Sequence, residues 1–206
     1  CFTPNTRILT LGGEERIADL RPGDLVITAA HGPQPIRQIV ARSYTNAMLR
    51  DQPSLRPVVI EAGSLGAGLP HRKLHVSRQH GFAALGGNAL VRAAHLAEVL
   101  DLARIQHNRP NPVHYLHLVL DQHEMVLAEG VWAETYYNTT AAAVALPHTR
   151  TPRARAAPFH ALRCRPLLTR RELRHSEGIT RDLGQIHCPS ARIVSNSRLE
   201  APPLHA

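Results

Sequence analysis

Short runs of branched apolar residues, broken every few positions by turn residues, fill the first 140 residues of the chain. Stretches 7–11, 16–20, 24–29 and 34–43 are of this kind, and Gly12-Gly13, Pro22-Gly23 and His31-Gly32-Pro33 punctuate them. The cadence predicts β-strands joined by tight turns, because branched side chains favour extended backbone and Gly and Pro supply the angles of a reversal. Two more strands are expected at 57–61 and 73–77, on either side of a glycine-rich loop at 62–70. That loop lacks the glycine spacing and the following helix of a dinucleotide cradle, so it is read as a turn. Residues 91–102 are the best helical candidate, with Leu96, Val99, Leu100 and Ala103 at compatible offsets, although Val91 can instead end a strand. Beyond them, 113–120 and 125–133 are β-rich stretches around the polar bend Asp121-Gln122-His123-Glu124. So many short strands and so little helix predict a compact, folded-over all-β structure, not a parallel α/β sheet.

After Asn138 the texture changes. Residues 139–145 are small and neutral, and Pro147, Pro152 and Pro158 alternate with Arg150, Arg153 and Arg155 in a linker-like stretch. A helical piece is expected at 167–175, where Glu172 precedes a basic end, and the last residues are expected to fray. The division predicted is a domain at 1–138 and an Arg/Pro-rich extension at 139–206, mostly irregular or partly helical. Charge follows it: residues 1–140 hold 13 Arg/Lys against 12 Asp/Glu, whereas residues 141–206 hold 11 Arg against 4 acids. Such a basic tail attracts polyanions weakly but lacks the interleaved aromatics of a single-strand platform, so no specific nucleic acid is expected as a partner. No apolar run approaches the roughly 20 residues of a membrane span, and an export signal, if one exists, is expected elsewhere.

Cys1, Cys164 and Cys188 are too few and too scattered for a disulfide framework. Fourteen histidines raise the question of metal, yet no His/Cys group has the paired spacing of a zinc site. His114 and His117, three apart on a predicted strand, point to opposite faces. No metal and no cofactor are expected. The chemically informative residue is Cys1. Its sulfur lies within five-membered-ring reach of the carbonyl carbon of any preceding residue, so it can attack its own backbone and convert an amide into a thioester.

Three blocks of sequence carry a resemblance. The first is Cys1-Phe2-Thr3-Pro4, Thr6, Ile8, Gly12-Gly13, Ile17, Leu20 and Pro22-Gly23-Asp24-Leu25-Val26. The second is Leu74-His75-Val76-Ser77-Arg78-Gln79-His80, with Ser77 where threonine is usual, and the third runs from Tyr115 through Asp121 and His123 to Val131. In this order they resemble Hint domains, the self-processing modules shared by hedgehog proteins and inteins, over residues 1–135. The variety is similar to the bacterial Hint-like type, in which a segment such as Arg165-Pro166-Leu167-Leu168 follows the core. The resemblance implies the disk-like Hint fold and a catalytic set of Cys1, Ser77, His80, Asp121 and His123. Cys1 would be the nucleophile, His123, or Asp121 through water, the base that takes its proton, and His80 the acid that protonates the departing nitrogen. Ser77 would orient His80 or bond the polarised carbonyl. His71, His75, His107, His114, His117 and His187 are given no role, solvated or core positions being the default for them.

Departures from the pattern shape the expected reaction. Inteins end their core with His-Asn, and the asparagine cyclises. Here the stretch reads Gly130-Val131-Trp132-Ala133-Glu134-Thr135, so cleavage before Cys1 by water or a small nucleophile is expected in place of full splicing. Asn138-Thr139 is read as a turn after the last core strand. Glu61 adjoins the place of the hedgehog acceptor aspartate but is not its equivalent, and sterol transfer is not inferred. The substrate expected is the chain's own N-terminally attached polypeptide, and the given segment is read as a cleaved product or an excised piece. The resemblance tilts location outward, to a large exported bacterial protein. Two other readings stay open: a β-rich structural or binding module without chemistry, and an amidohydrolase using a free Cys1 amine as base, which would need a layered α/β pattern.

Overall fold

The computed structural model describes residues 1–107, 111–137, 160, 162–175, 179–180 and 182–186, and within them the chain forms thirteen strands and three short α-helices. β1 (Arg7–Thr10) turns back antiparallel on β2 (Gly13–Arg16), with Gly13 at φ +111°, an angle that only glycine adopts easily. The strand expected at 16–20 ends as a turn. Ile17 and Leu20 are both buried, and an odd separation of three reaches the same side on a turn but opposite faces on a strand. The Ile17 amide donates to the Thr6 carbonyl at 2.8 Å and fixes that turn. β3 (Leu25–Thr28) pairs with β4 (Gly32–Pro35), and β5 (Gln38–Tyr44) leads to α1 (Asn46–Asp51), whose Met48 amide donates to the capping Thr45 hydroxyl.

Then follow β6 (Val58–Ile60), β7 (Leu74–Val76), β8 (Gly81–Ala84), β9 (Ala89–Arg92), α2 (Ala93–Glu98), β10 (Arg104–Ile105), β11 (Val113–Val119), β12 (Met125–Ala128) and β13 (Val131–Glu134). The main sheet runs β2-β1-β3-β12-β13-β8-β9, with β4 beside β3; a second runs β10-β6-β7, and β5 and β11 form a long pair. The helix expected at 91–102 starts only at Ala93, since Val91 does end a strand.

The bend at 121–124 is not a hairpin between its flanking stretches. β11 instead pairs with β5 from Val113↔Tyr44 to Val119↔Gln38, while β12 pairs with β13 through Glu129 and Gly130, at φ +50° and +83°. Two such residues make the turn whose twist matches a tight hairpin. A side chain at Gly130 would also sit 2.6 Å from the His71 ring, so glycine is needed there twice over.

One core gathers Phe2, Ile8, Val26, Leu74, Val76, Phe82, Leu96, Leu118 and Val126, and it includes Leu173, Ile179 and Leu183 from beyond residue 140. That later part carries α3 (Arg170–His175) and is stitched on by main-chain bonds. The Leu90 amide donates to the Pro166 carbonyl and the Leu168 amide to the Leu90 carbonyl, both at 2.8 Å. Trp132 and Gly184 extend the stitching, with Trp132 N–H donating to Gly184 and Gly184 N–H to Ala83, again at 2.8 Å. No helix among the described residues is long and apolar enough to cross a membrane.

Candidate active site

The front end of the chain is threaded between β7 and β11. Phe2 N–H donates to the Leu116 carbonyl at 2.9 Å, and Leu116 N–H returns a bond to Phe2 at 2.8 Å. On the other side Thr3 N–H donates to His75 and Ser77 N–H to the Cys1 carbonyl, at 3.2 and 3.1 Å. Phe2 is buried at 1 % exposure, which makes the threading favourable: an aromatic leaves water while its amide and carbonyl both find partners. Cys1 is thereby held on both sides, and its side chain packs beside Leu49, Val113 and Tyr115.

Two imidazoles meet Cys1, one at its nitrogen and one at its sulfur. His80 Nδ1 lies 2.6 Å from the Cys1 nitrogen, and His117 Nε2 lies 2.6 Å from the sulfur. His80 is set by the turn after β7, where its amide donates to the Ser77 carbonyl at 3.1 Å and its carbonyl accepts from Ala93 at 2.7 Å. The ring is wedged between Phe2 and Phe82, with centroids 4.3 and 5.4 Å away in edge-on geometry. His117 projects from the buried face of β11 and meets Tyr136 edge-on at 5.0 Å.

Burial dominates the electrostatics. Cys1 is partly exposed as a residue, but its amine is enclosed by packed atoms and is lowered from 8.0 to about 5, against an opposing pull from Glu134. His80 is held well below the ordinary imidazole value, first by desolvation and then by the charge of the Cys1 amine, His117 and His123. His117 is lowered in the same way by burial, then by the Cys1 amine and Arg42. All three groups are therefore neutral near pH 7, the state in which an imidazole can accept a thiol proton.

Of the five residues expected in the site, Cys1, Ser77 and His80 are brought together. Ser77 is tied in through its main chain, donating to Cys1 and accepting from His80, and not through a hydroxyl contact to the ring. Asp121 and His123 do not contact Cys1. Asp121 is exposed and held by the Arg37 guanidinium at 2.9 and 2.6 Å, which also keeps its carboxyl below the usual range. His123 is buried, but its Nδ1 accepts from the Cys164 amide at 2.8 Å and its Nε2 faces Glu134 Oε2 at 3.1 Å, near enough for attraction but off the hydrogen-bond direction. The group on the sulfur is His117, for which the sequence suggests no role. The expected opposition of His114 and His117 contained the signal: His114 faces out to Ser43 while its neighbour three residues on faces the site.

Behind His80 lies a buried carboxylate, Glu134. Its Oε1 accepts from the Gly81 amide at 2.8 Å, and its Oε2 accepts from Arg163. Position 81 must be glycine for this approach, since a Cβ there would meet the carboxylate at 2.9 Å. No cluster of three or more His, Cys, Asp or Glu suited to a metal ion occurs among the described residues.

A thiol clamped in extended backbone, with one imidazole on its sulfur and another on its nitrogen, is a layout that can act on its own chain. Comparison with known proteins agrees. A family profile described as Hint domain matches residues 1–140, more than half of the sequence, and the chain belongs to that family of self-processing modules. Among solved structures it is similar to the MchDnaB-1 intein, at 15% identity over 66% of this chain and 100% of that one with a TM-score of 0.42. It is also similar to the gp41-1 intein, at 13% identity over 66% and 96% with a TM-score of 0.41. The Msm DnaB1 intein splicing domain bound with zinc is a third, at 18% identity over 66% and 100% with a TM-score of 0.40. No curated protein matches the chain.

Proposed function

We propose that Cys1 cleaves the peptide bond that precedes it, by an N-to-S acyl shift followed by attack of water or a small nucleophile, without splicing. The observation that carries the reading is the pair of 2.6 Å contacts of His117 with the sulfur and His80 with the nitrogen. In a chain extended before Cys1 that nitrogen is an amide. His117 takes the thiol proton, the sulfur adds to the preceding carbonyl carbon, and His80 gives a proton to the nitrogen as the C–N bond breaks. A nucleophile then opens the thioester, the upstream polypeptide leaves as an acid or its derivative, and the sulfur recovers its proton.

Charge changes along the way. Before cleavage the nitrogen is an amide and carries no charge at any pH, so the lowering of His80 by a protonated Cys1 amine is absent then. Once formed, an amine lowered to about 5 stays neutral at pH 7 and lies beside the thioester, so the shift reverses until the acceptor arrives. The absence of splicing rests on the end of β13. Glu134 is engaged with Gly81 and Arg163, and the Thr135 hydroxyl accepts from the Glu124 amide at 3.0 Å, where inteins place His-Asn. Asn138 and Thr139 lie outside the described residues. Location in an exported bacterial protein is part of the same proposal and rests on the resemblance alone.

The test is a fusion carrying a short polypeptide before Cys1, treated with hydroxylamine or thiol and weighed. Release from the parent beside an intact Cys1→Ala fusion is expected. Equal release from both sinks the reading, and a folded parent that never releases its carrier favours a module without chemistry.

A further inference from the structure

The family match ends at residue 140, yet a residue beyond it reaches the carboxylate behind His80. The segment 162–168 lies across β9 and β13 as a strap. Leu167 pairs with Leu90, Arg165 Nε donates to the Gly87 carbonyl at 2.8 Å, and the Cys164 amide fixes the His123 ring. At its centre Arg163 donates to Glu134 while its guanidinium lies 4.5 Å over the Tyr137 ring. A carboxylate this deeply placed needs a charged partner, and Arg163 is the cation on it. The other oxygen of the same carboxylate holds the amide of the residue next to His80.

We propose that this strap is a working part of the self-cleaving site: Arg163 positions and neutralises Glu134, which holds the Gly81 main chain and so sets the His80 ring against the Cys1 nitrogen. Arg163 is thus a positioning residue supplied from outside the family's matched region. The inference rests on the proposed acyl shift for its consequence, but its electrostatic link stands in the folded chain. The charged and titratable groups acting on His80 are the Cys1 amine at the front end, His117 on β11 and His123 in the bend after it, while Glu134 on β13, with Arg163 upon it, acts on the Cys1 amine and touches the Gly81 amide beside His80. Removing Arg163 leaves a bare negative charge near the nitrogen and the ring, which favours their protonated forms. Removing the carboxylate does the reverse.

The experiment uses the full chain behind a carrier, comparing the parent with Arg163→Met, Arg163→Lys and Glu134→Gln across pH, with melting as a check on folding. Arg163→Met is expected to slow release about 10- to 100-fold, as small misplacements of a catalytic group do, and Arg163→Lys to restore much of it. The high-pH limb of the rate should move up in Arg163→Met and down in Glu134→Gln by roughly half a unit or more. A purely structural role predicts slower release with no opposed movement. Parent-like rates and profiles in both charge variants, or a lysine no better than methionine, overturn the proposal. If Arg163→Met does not fold, Glu134→Gln and Arg163→Lys decide it. If the folded parent never cleaves, the acyl-shift reading fails by itself. The strap is then judged by titration of the Cys1 amine in the unfused chain, which must shift oppositely in the two charge variants or the link is refuted.

Discussion

The Cys1 cluster and the Cys164 cluster are made of the same residue types, a thiol with imidazoles beside it, yet their contacts run in opposite senses. Around Cys1 the imidazole nitrogens face the sulfur and the nitrogen that would react. Around Cys164 the imidazole of His123 is held by a main-chain amide and only faces a carboxylate, and burial with Glu134 and Glu124 nearby pushes the thiol up to about 12. Reactivity therefore follows which atoms are left facing each other, not which residues are gathered. A buried thiol without a base on it is a small apolar side chain.

Breaking the contrast should follow a ranked order. Replacing Cys1 by alanine removes the nucleophile and should abolish carrier release altogether, measured by mass over the time in which the parent completes it. Next, His117→Asn and His80→Asn should each slow release by about 10²- to 10⁴-fold, the usual worth of one proton-transfer group, whereas Asp121→Asn should leave the rate unchanged. A slow Asp121→Asn beside an unaffected His117→Asn would favour Asp121 over His117 as the group that serves the thiol. For the thiols, alkylation at pH 8 mapped by peptide mass should find Cys164 at least ~100-fold slower than a free cysteine, because so little of it is thiolate.

The smallest effect is one of stability in the unfused chain. The Cys1 amine, His80 and His117 all have lowered values when folded, so the unfolded chain binds more protons. Stability is then complete above pH 8 and is lost as pH falls, first through the window from 8.0 to about 5 for the amine and below 6.5 for the imidazoles. Melting should drop by at least ~5 °C between pH 8 and 5, at the usual 2–4 °C per kcal/mol for this size, and an acetylated front end should show a shallower fall.

Much of this was legible in residue order. Alternation and turn residues announce β1, β3, β6, β7 and β11, because branched side chains and glycines act locally. Strand β8 is not announced, since Gly81-Phe82-Ala83-Ala84 carries little propensity and is extended only through its neighbours β9 and β13. The pairing of β11 with β5, 69 to 81 positions apart in the chain, likewise depends on contacts no local signal encodes. In the site, Cys1 and His80 stand in blocks of adjacent residues and are readable as such. His117 is not, because whether a strand histidine faces a core or a thiol depends on what is threaded beside the strand. Glu134 and Arg163 escaped for the same reason, being partners only in three dimensions.

Phe2, zipped to Leu116 on one flank and bridged to Val76 on the other, joins two otherwise separate sheets. The front end is thus a seam as well as a blade. Loss of Cys1 and Phe2 would remove the reagent and unstitch the molecule at one stroke, so the same two residues serve the fold and its chemistry.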